Sequence, residues 1–357
     1  ALNVGVKKMF EPSGTPTAAE REHGRSVNVL SNEAPMGPIY GRTKTSVQIV
    51  DIRLHPSEED FLYVVAAIAL GSDDGSGIED VEAIYFDERL AISNPAVLPL
   101  AEDSGVQTAF DERLHYGLGS GGDAQAVDPV LNALFSEYDA DTAGRGVVLL
   151  ALQMIYDPNV YPTGVPNITA IVKGNRVWDP RSSTWAYSDS PALCILDYLT
   201  SKRYGAGVLY GERDGGASEI DQQSFIDAAN YHDDVITMGP GTGTRFTCNG
   251  RVDTGKSIAA NLAELLSSCR SELVYEGGKF RLVTSQVLTA ETFELNADNI
   301  LGEVEYWRGG TEQVPNRVIA HFVDEANEWL PQEVAWPEAN QANAFLTADN
   351  DFENVLE

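Results

Sequence analysis

Cysteine, histidine and basic residues are scarce in this sequence of 357 residues. Its three cysteines, Cys194, Cys248 and Cys269, form no C-x-x-C pair and have no histidine close to them in the sequence, so neither a zinc site nor a disulfide framework is predicted. We expect buried thiols, which pack as small apolar side chains. The five histidines are scattered singly, and none is predicted to bind a metal or to act as a base.

Positive charge is also in short supply. The sequence contains 24 lysines and arginines and 54 acidic residues, which gives a formal net charge of -30. Such a balance favours solubility and opposes a tight hold on phosphate backbones, so a nucleic-acid-binding protein is disfavoured. The negative charge has no necessary link to function, because an acidic proteome, for instance that of a salt-adapted host, would also produce it.

Long apolar runs are missing as well. The longest apolar runs, such as VVLLALQMIY at 147–156, are too short to span a bilayer. The first residues contain no apolar segment of the kind found in a signal peptide. With 43% apolar residues and 32 glycines the chain is nevertheless expected to fold. Its length predicts two or three domains, because one hydrophobic core seldom holds so many residues.

Strand patterns dominate the first part of the chain. Residues 1–38 are rich in Pro, Ser, Glu and Gly and are predicted to be an N-terminal arm. From 39 to 92, β-branched and aromatic runs of strand length alternate with polar turns, which predicts a β-barrel or sandwich. Residues 93–144 are less regular, with a helix expected over 129–140. Strands resume at 145, and 168–179 is predicted to be a hairpin that turns at Gly174-Asn175.

Helices are predicted in the second half. Ser190 suits an N-cap, Pro191 suits the first turn, and apolar residues then recur with the spacing of one buried face (Ala192, Ile195, Leu196, Leu199) before Tyr204-Gly205 ends the element. Two more helices are expected over 219–234 and 255–269, the latter with an apolar stripe (Ile258, Leu262, Leu265, Leu266, Cys269). A hairpin follows around Gly277-Gly278, and alternation typical of strands resumes after 291.

One segment matches a nucleotide-binding motif letter for letter. Gly250, Gly255, Lys256 and Ser257 occupy the fixed positions of G-x-x-x-x-G-K-[ST], which cradles phosphates in nucleotide hydrolases. The context argues against that function, because the next helix leads into an antiparallel hairpin, whereas such loops belong to parallel sheets. Asp253 is expected to be an ordinary helix N-cap. We therefore regard the motif as a decoy, with a nucleotide hydrolase kept as the alternative.

Other catalytic patterns are weaker. Gly117-x-Gly119-x-x-Gly122 fits the dinucleotide fingerprint, but the residues before it do not look like a buried strand. No nucleophile-elbow spacing occurs, and the acidic turns do not match a calcium loop. No catalytic residue, metal site or cofactor is predicted. A carbohydrate or receptor-binding module is a further alternative, although no aromatic cluster that would mark one can be located.

Several segments resemble one family when taken in order. They are VWDPRSSTWAYSDSPALCILDYLTSKRYGAG, FTCNGRVDTGKSIAANLAELLSSCRSELVYEGGKFRLV and NRVIAHFVDEANEWLPQEV. Together they resemble the family of the tip attachment (host specificity) protein of phage lambda and its relatives. The segment EAPMGPIYGRTKTSVQIV is similar to the opening of a subgroup that includes the hubs of gene transfer agents. The resemblance covers about two thirds of the chain and misses most of 93–144.

The resemblance implies a fold and a set of signature residues. The implied fold is mainly β with an α/β insertion, in which two tube-like antiparallel β-barrel domains and peripheral α+β domains form a phage baseplate hub. The structural signature residues are Tyr40, Gly41, Trp178, Asp179, Tyr187, Pro191, Leu196, Arg203, Tyr204, Gly205, Cys248, Asn249, Asn316 and Arg317. Domains are expected at 1–38 (arm), 39–178 (first β-rich domain with the irregular insertion 93–144), 179–290 (helix-containing domain) and 291–357 (a second tube-like domain, incomplete because a longer chain is expected).

The resemblance also implies a function and partners. It implies a homotrimeric hub of a long-tailed phage tail tip that contacts the distal tail protein ring, the tape measure protein C-terminus and other tail-tip proteins. DNA would pass through its lumen at ejection, and acidic walls would repel the phosphates. The host surface would be contacted only indirectly. The expected location is the virion tail tip, with the host cytoplasm during assembly.

Overall fold

A computed structural model describes residues 29–30, 34–102, 104–162, 164–211, 218–238, 241–286, 299–300, 317–336 and 355–356. The chain divides into two compact units, residues 1–285 and 286–357. The domain boundaries predicted from the sequence remain predictions.

The first unit contains a six-stranded sheet. Its strands are β1 (Val29–Leu30), β4 (Gln48–Leu54), β5 (Phe61–Leu70), β8 (Leu98–Glu102), β9 (Leu114–Leu118) and β10 (Val147–Ile155), and their spatial order is β1-β4-β5-β10-β9-β8. All neighbours are antiparallel except β1 and β4. The long apolar strand β5 lies in the interior of the sheet, which explains why nearly all its side chains are buried.

A second sheet packs against the first. It contains β3 (Arg42–Ser46), β6 (Ile78–Phe86), β7 (Arg89–Ser93), β11 (Ile168–Asp179) and β12 (Thr184–Tyr187), and β11 pairs with β3, β6 and β12. Side chains from the inner faces of both sheets form one apolar cluster, which we call the sandwich core; examples are Leu62, Val64, Leu150, Ile84 and Val172.

A helical layer surrounds a second apolar cluster, which we call the helical core. Its helices are α2 (Pro191–Thr200), α3 (Gln222–His232) and α4 (Ile258–Ser267), whereas α1 (Pro129–Leu134) covers the outer face of the first sheet. Short strand pairs complete this unit: β2 (Ile39–Tyr40) with β15 (Gly250–Arg251), β13 (Val235–Met238) with β14 (Gly241–Thr244), and β16 (Ser271–Glu276) with β17 (Lys279–Thr284).

The second unit contains a hairpin. Strands β18 (Arg317–Asp324) and β19 (Leu330–Trp336) pair antiparallel, and β20 (Val355–Leu356) pairs parallel with β18. Asn316 lies outside the described residues, and only the backbone of Arg317 is described.

The predicted mainly β class is confirmed, with several antiparallel sheets and a helical layer. Among the described strands no sheet closes into a barrel. None of the helices in the described part of the chain combines the length and apolar character that a membrane crossing requires.

Helix α2 confirms its predicted position, but its burial differs from the prediction. All ten of its residues are buried, not one face alone, because β11 lies on one side and α3 and α4 lie on others. Ser190 is the N-cap residue by position, yet its side chain makes no capping hydrogen bond. The hairpin around Gly277-Gly278 is confirmed, with both glycines at positive φ.

Three local predictions are wrong. Gly174-Asn175 is no turn, because β11 runs straight through both residues. The N-cap of α4 is Ser257, whose hydroxyl accepts a hydrogen bond from the Ala260 N–H, and not Asp253. Ile258 is 42% exposed, so it does not belong to the buried stripe of that helix.

The glycine-rich segment around Gly117 also differs from its prediction. Of the residues before Gly117, 114–116 do lie in a strand, β9, which also contains Gly117. The neighbours of β9 are antiparallel, so Gly117 lies in a sandwich and not at a dinucleotide turn. A Cβ on Gly117 would lie 2.5 Å from the Leu100 nitrogen, which accounts for the glycine.

Candidate functional site

Residues 35–42, which we call the strap, run between the two cores. The side chains of Ile39 and Tyr40 point to opposite sides, as successive residues of a strand do. Ile39 belongs to the sandwich core and Tyr40 to the helical core, and both are fully buried. The strap therefore fastens the helical layer to the sandwich.

Close backbone approach on both sides of the strap explains three glycines. A Cβ on Gly37 would lie 1.7 Å from the Val252 carbonyl oxygen, and one on Gly174 would lie 2.0 Å from the Ile39 oxygen. Gly41 has a φ of +61°, and its Cβ would meet the Cys248 oxygen at 2.3 Å. Since real Cβ atoms do not approach other atoms so closely, these positions need glycine.

A buried carboxylate holds the strap on the helical side. The Tyr40 hydroxyl donates to Asp197 Oδ2 of α2 at 2.7 Å, and the Tyr204 hydroxyl donates to the same oxygen, also at 2.7 Å. Asn175 Nδ2 of β11 donates to the Tyr204 hydroxyl at 3.3 Å. Burial, together with the nearby carboxylate, raises the pKa of both tyrosines well above the ordinary value, so they remain hydroxyl donors.

The segment that resembles a phosphate loop contacts the strap. Val252 N–H donates to the Pro38 oxygen at 3.0 Å, and the Thr254 hydroxyl donates to the Met36 oxygen at 2.7 Å. A Cβ on Gly255 would lie 2.8 Å from the Pro35 ring. The central residues of the motif thus form a turn that supports the strap.

The first and last residues of the motif contact β2 and α4. Lys256 Nζ lies 2.5 Å from Glu264 Oε1, Ser257 caps α4, and Gly250 pairs with Tyr40 across β2 and β15. Asn261 Nδ2 donates to the Asp253 oxygen at 2.9 Å and to the Tyr198 hydroxyl at 2.8 Å. This arrangement differs from a nucleotide site, in which a parallel strand leads into the loop and the lysine reaches toward phosphates.

The structure brings several signature residues together at the strap. Asn249 Oδ1 accepts a hydrogen bond from the Arg42 N–H at 2.8 Å, beside Gly41, and Leu196 belongs to the helical core with Tyr40. A Cβ on Gly205 would lie 1.9 Å from the Tyr198 oxygen, where the chain leaves α2. The sequence identified these residues but gave no sign that Asp197 connects them, because an aspartate in an apolar helix has no distinctive spacing.

Other signature residues lie around this junction. Arg203 Nη2 contacts Asp123 Oδ1 at 2.6 Å, and Asp179 pairs with Arg181 at 2.8 Å in the turn after β11. Trp178 packs edge-on against Trp185 across β11 and β12, with ring centroids 5.9 Å apart. Burial raises the pKa of the half-buried Tyr187 to about 12.

The three cysteines lie together in the helical core, as free and buried thiols. Within the described residues, no group of three or more His, Cys, Asp or Glu side chains is arranged to hold a metal ion.

A cavity of about 430 Å³ lies on the outer side of the six-stranded sheet beside α1. Its lining is mostly apolar, and its carboxylate, Asp128, is occupied as the N-cap of α1 and as the acceptor for Leu100 N–H. The cavity brings together no catalytic set.

No protein-family model matches the sequence. The chain is 23% identical over 258 residues to tip attachment protein J of Escherichia phage SECphi27, an alignment that covers 68% of this chain and 20% of that protein. The chain therefore spans about a fifth of the length of this curated relative. The resemblance predicted from the sequence is confirmed, and the chain is similar to a phage tail-tip protein.

Among solved structures, the chain is similar to a chain from the virion of a native gene transfer agent particle. The TM-score is 0.49 at 16% identity, and the match covers 95% of this chain and 73% of the other.

Proposed function

We propose that the chain is a structural part of a phage tail, and more specifically of the central hub of a long-tailed phage tail tip. The observation that carries this proposal is the similarity to tip attachment protein J over 258 residues. The fold supports it, because two interlocked cores and a buried strap give a rigid building block. The hub extends or closes the tail tube as a homotrimer and connects it to the parts that attach to the host.

Contacts with the distal tail protein ring, the tape measure protein C-terminus and other tail-tip proteins belong to this proposal. DNA passes through the lumen at ejection, and the net charge of -30 supports rapid passage, because carboxylates repel phosphate. The protein is present in the host cytoplasm during assembly and in the virion tail tip afterwards.

Two measurements test the hub. Mass photometry of the purified chain should give particles of three times the 38.7 kDa chain mass, and gold-labelled antibodies against it should mark the tail tip in virions. Label along the tail shaft or on the capsid would refute the hub, and a different symmetry inside intact tails would refute the trimer.

The nucleotide-hydrolase alternative receives a separate test. We propose that Lys256 serves structure and not phosphate binding, since it pairs with Glu264. Lys256→Ala should therefore assemble normally and leave infectivity near that of the wild type. Normal particles that have lost infectivity would restore the enzyme hypothesis.

A further inference from the structure

Asn249-Gly250 is the single Asn-Gly pair in the sequence. Asn-Gly is the dipeptide most open to spontaneous deamidation, because glycine has no side chain to block attack of its amide nitrogen on the asparagine side chain. Asn249 is exposed to solvent. A Cβ on Gly250 would meet no atom within 4 Å, so no side chain shields this position.

The strap, however, forms hydrogen bonds with both groups that react in a deamidation, the Asn249 side-chain amide and the Gly250 main-chain nitrogen. Asn249 Oδ1 accepts the Arg42 N–H, and Asn249 Nδ2 donates to the Thr247 hydroxyl at 3.3 Å, which fixes the side-chain amide. Gly250 pairs with Tyr40. Val252 N–H donates to the Pro38 oxygen, so Val252 and Pro38 form a hydrogen-bonded pair of this antiparallel ladder. Hydrogen-bonded pairs recur at every second residue, which makes Gly250 and Tyr40 the next such pair. The Gly250 N–H therefore donates to the Tyr40 oxygen.

We propose that Asn249-Gly250 is a deamidation site that the docked strap protects, so that it is modified only when the strap leaves the space between the two cores. In the reaction the deprotonated Gly250 nitrogen bonds to Asn249 Cγ, and ammonia leaves. Water then opens the resulting five-membered imide at either carbonyl carbon, which yields aspartate or isoaspartate. Water is the sole co-reactant, and no oxidation occurs.

The two products differ in their effect on the strap. An aspartate at 249 keeps an oxygen for the Arg42 N–H. An isoaspartate adds a methylene to the main chain and moves that oxygen, at a point where Gly41 already lies against Asn249 and Cys248. The isoaspartate form therefore holds the strap less firmly, and modification favours further opening.

Peptide mapping by mass spectrometry measures the reaction directly. Purified protein is incubated at pH 8 and 37 °C, and the gain of one mass unit at residue 249 is followed in buffer and in urea. The folded chain should react at least about tenfold more slowly than the unfolded chain, because local opening limits the reaction. Tyr40→Phe removes the strap's bond to Asp197 and should accelerate the reaction about tenfold, since the opening equilibrium shifts by the value of that bond.

Two variants serve as controls. Tyr116→Phe removes a hydroxyl in the sandwich core that donates to the Ser104 oxygen at 2.9 Å, away from the strap, and should leave the rate unchanged. Gly250→Ala should fold normally and slow the mass shift in urea at least about tenfold, because the alanine methyl group hinders attack on the asparagine side chain. Equal rates for folded and unfolded wild type would overturn the proposal, as would equal acceleration by Tyr40→Phe and Tyr116→Phe. Hydrogen exchange of residues 35–42 supplies a second readout, which must follow the deamidation rate across the variants.

Discussion

Removal of the Tyr204 hydroxyl should destabilise the protein more than removal of the Tyr116 hydroxyl in the sandwich core. In Tyr204→Phe, Asp197 Oδ2 loses one of its two donors, and Asn175 Nδ2 loses its acceptor. Asp197 and Asn175 are 1% and 0% exposed, so water cannot replace the lost group without a rearrangement. The ring itself remains, and apolar packing is preserved.

The size of the effect follows from the nature of the partner. A hydrogen bond to a buried charged group contributes about 1.5–3 kcal/mol, whereas one between neutral groups contributes about 0.5–1.5 kcal/mol. Tyr116→Phe is the matched control, because its hydroxyl bonds to neutral main-chain groups of Ser104 and Ala96. We expect a loss of about 2–3 kcal/mol for Tyr204→Phe and about 1 kcal/mol for Tyr116→Phe.

Urea unfolding at pH 7, followed by tryptophan fluorescence and far-UV circular dichroism, gives both free energies of unfolding. Coincident transitions from the two probes justify a two-state treatment. A Tyr204→Phe cost no larger than that of Tyr116→Phe would refute the idea that Asp197, through Tyr204, fastens the helical layer to β11.

Three further predictions concern other parts of the first unit. Leu196→Asp places a charge in the helical core, where Leu196 is 1% exposed, and should cost several kcal/mol, whereas Lys202→Ala at an exposed site should cost less than about 0.5 kcal/mol. Urea unfolding measures both free energies. For the proposed hub, complementation of a phage that lacks it should give no tails with Leu196→Asp, and normal tails would disprove the buried face. Gly174→Ala places a Cβ 2.0 Å from the Ile39 main-chain oxygen and should lower the free energy of unfolding by about 1–3 kcal/mol. Gly250→Ala has open space around it and should have little effect. Equal melting temperatures of the two variants would contradict the close approach at Gly174. Burial lowers the pKa of His232 to about 4. Its contribution to stability is therefore complete above its unfolded pKa of about 6.5 and declines as the pH falls toward 4. The urea midpoint should be lower at pH 5 than at pH 7, and His232→Gln should reduce this difference; an unchanged difference would exclude His232 as the cause.

Local sequence patterns determined the elements whose signals lie within a few residues. The Pro191 start and apolar spacing of α2, and the paired glycines between β16 and β17, predicted these elements correctly, because first-turn and tight-turn preferences depend on neighbouring residues alone. The order of motifs also indicated the similarity to tip attachment proteins. The mainly β class followed from the alternation of short β-branched runs.

Where a sequence motif is compatible with two conformations, the tertiary structure decided which one it adopts. Gly174-Asn175 has turn chemistry, but β11 runs straight on, because the glycine is needed where the strap's backbone approaches. Likewise, the letters of a phosphate loop at 250–257 form the turn that supports the strap. The physical reason is the same in both places: a glycine permits either an unusual φ or a close approach, and only the neighbours in space select between them.

The junction at Asp197 lay beyond local reasoning for a related reason. Tyr40 and Asp197 are 157 residues apart in the sequence and 2.7 Å apart in the fold, and nothing near either residue specifies the other as partner. The apolar pattern of α2 predicted one buried face, yet β11, α3 and α4 bury every residue of the helix. The sequence by itself determined elements with strong local signals, such as α2 and the hairpin of β16 and β17. Only the packing of distant segments decided that the strap joins two cores, because burial of a polar group depends on partners that the chain brings together after it folds.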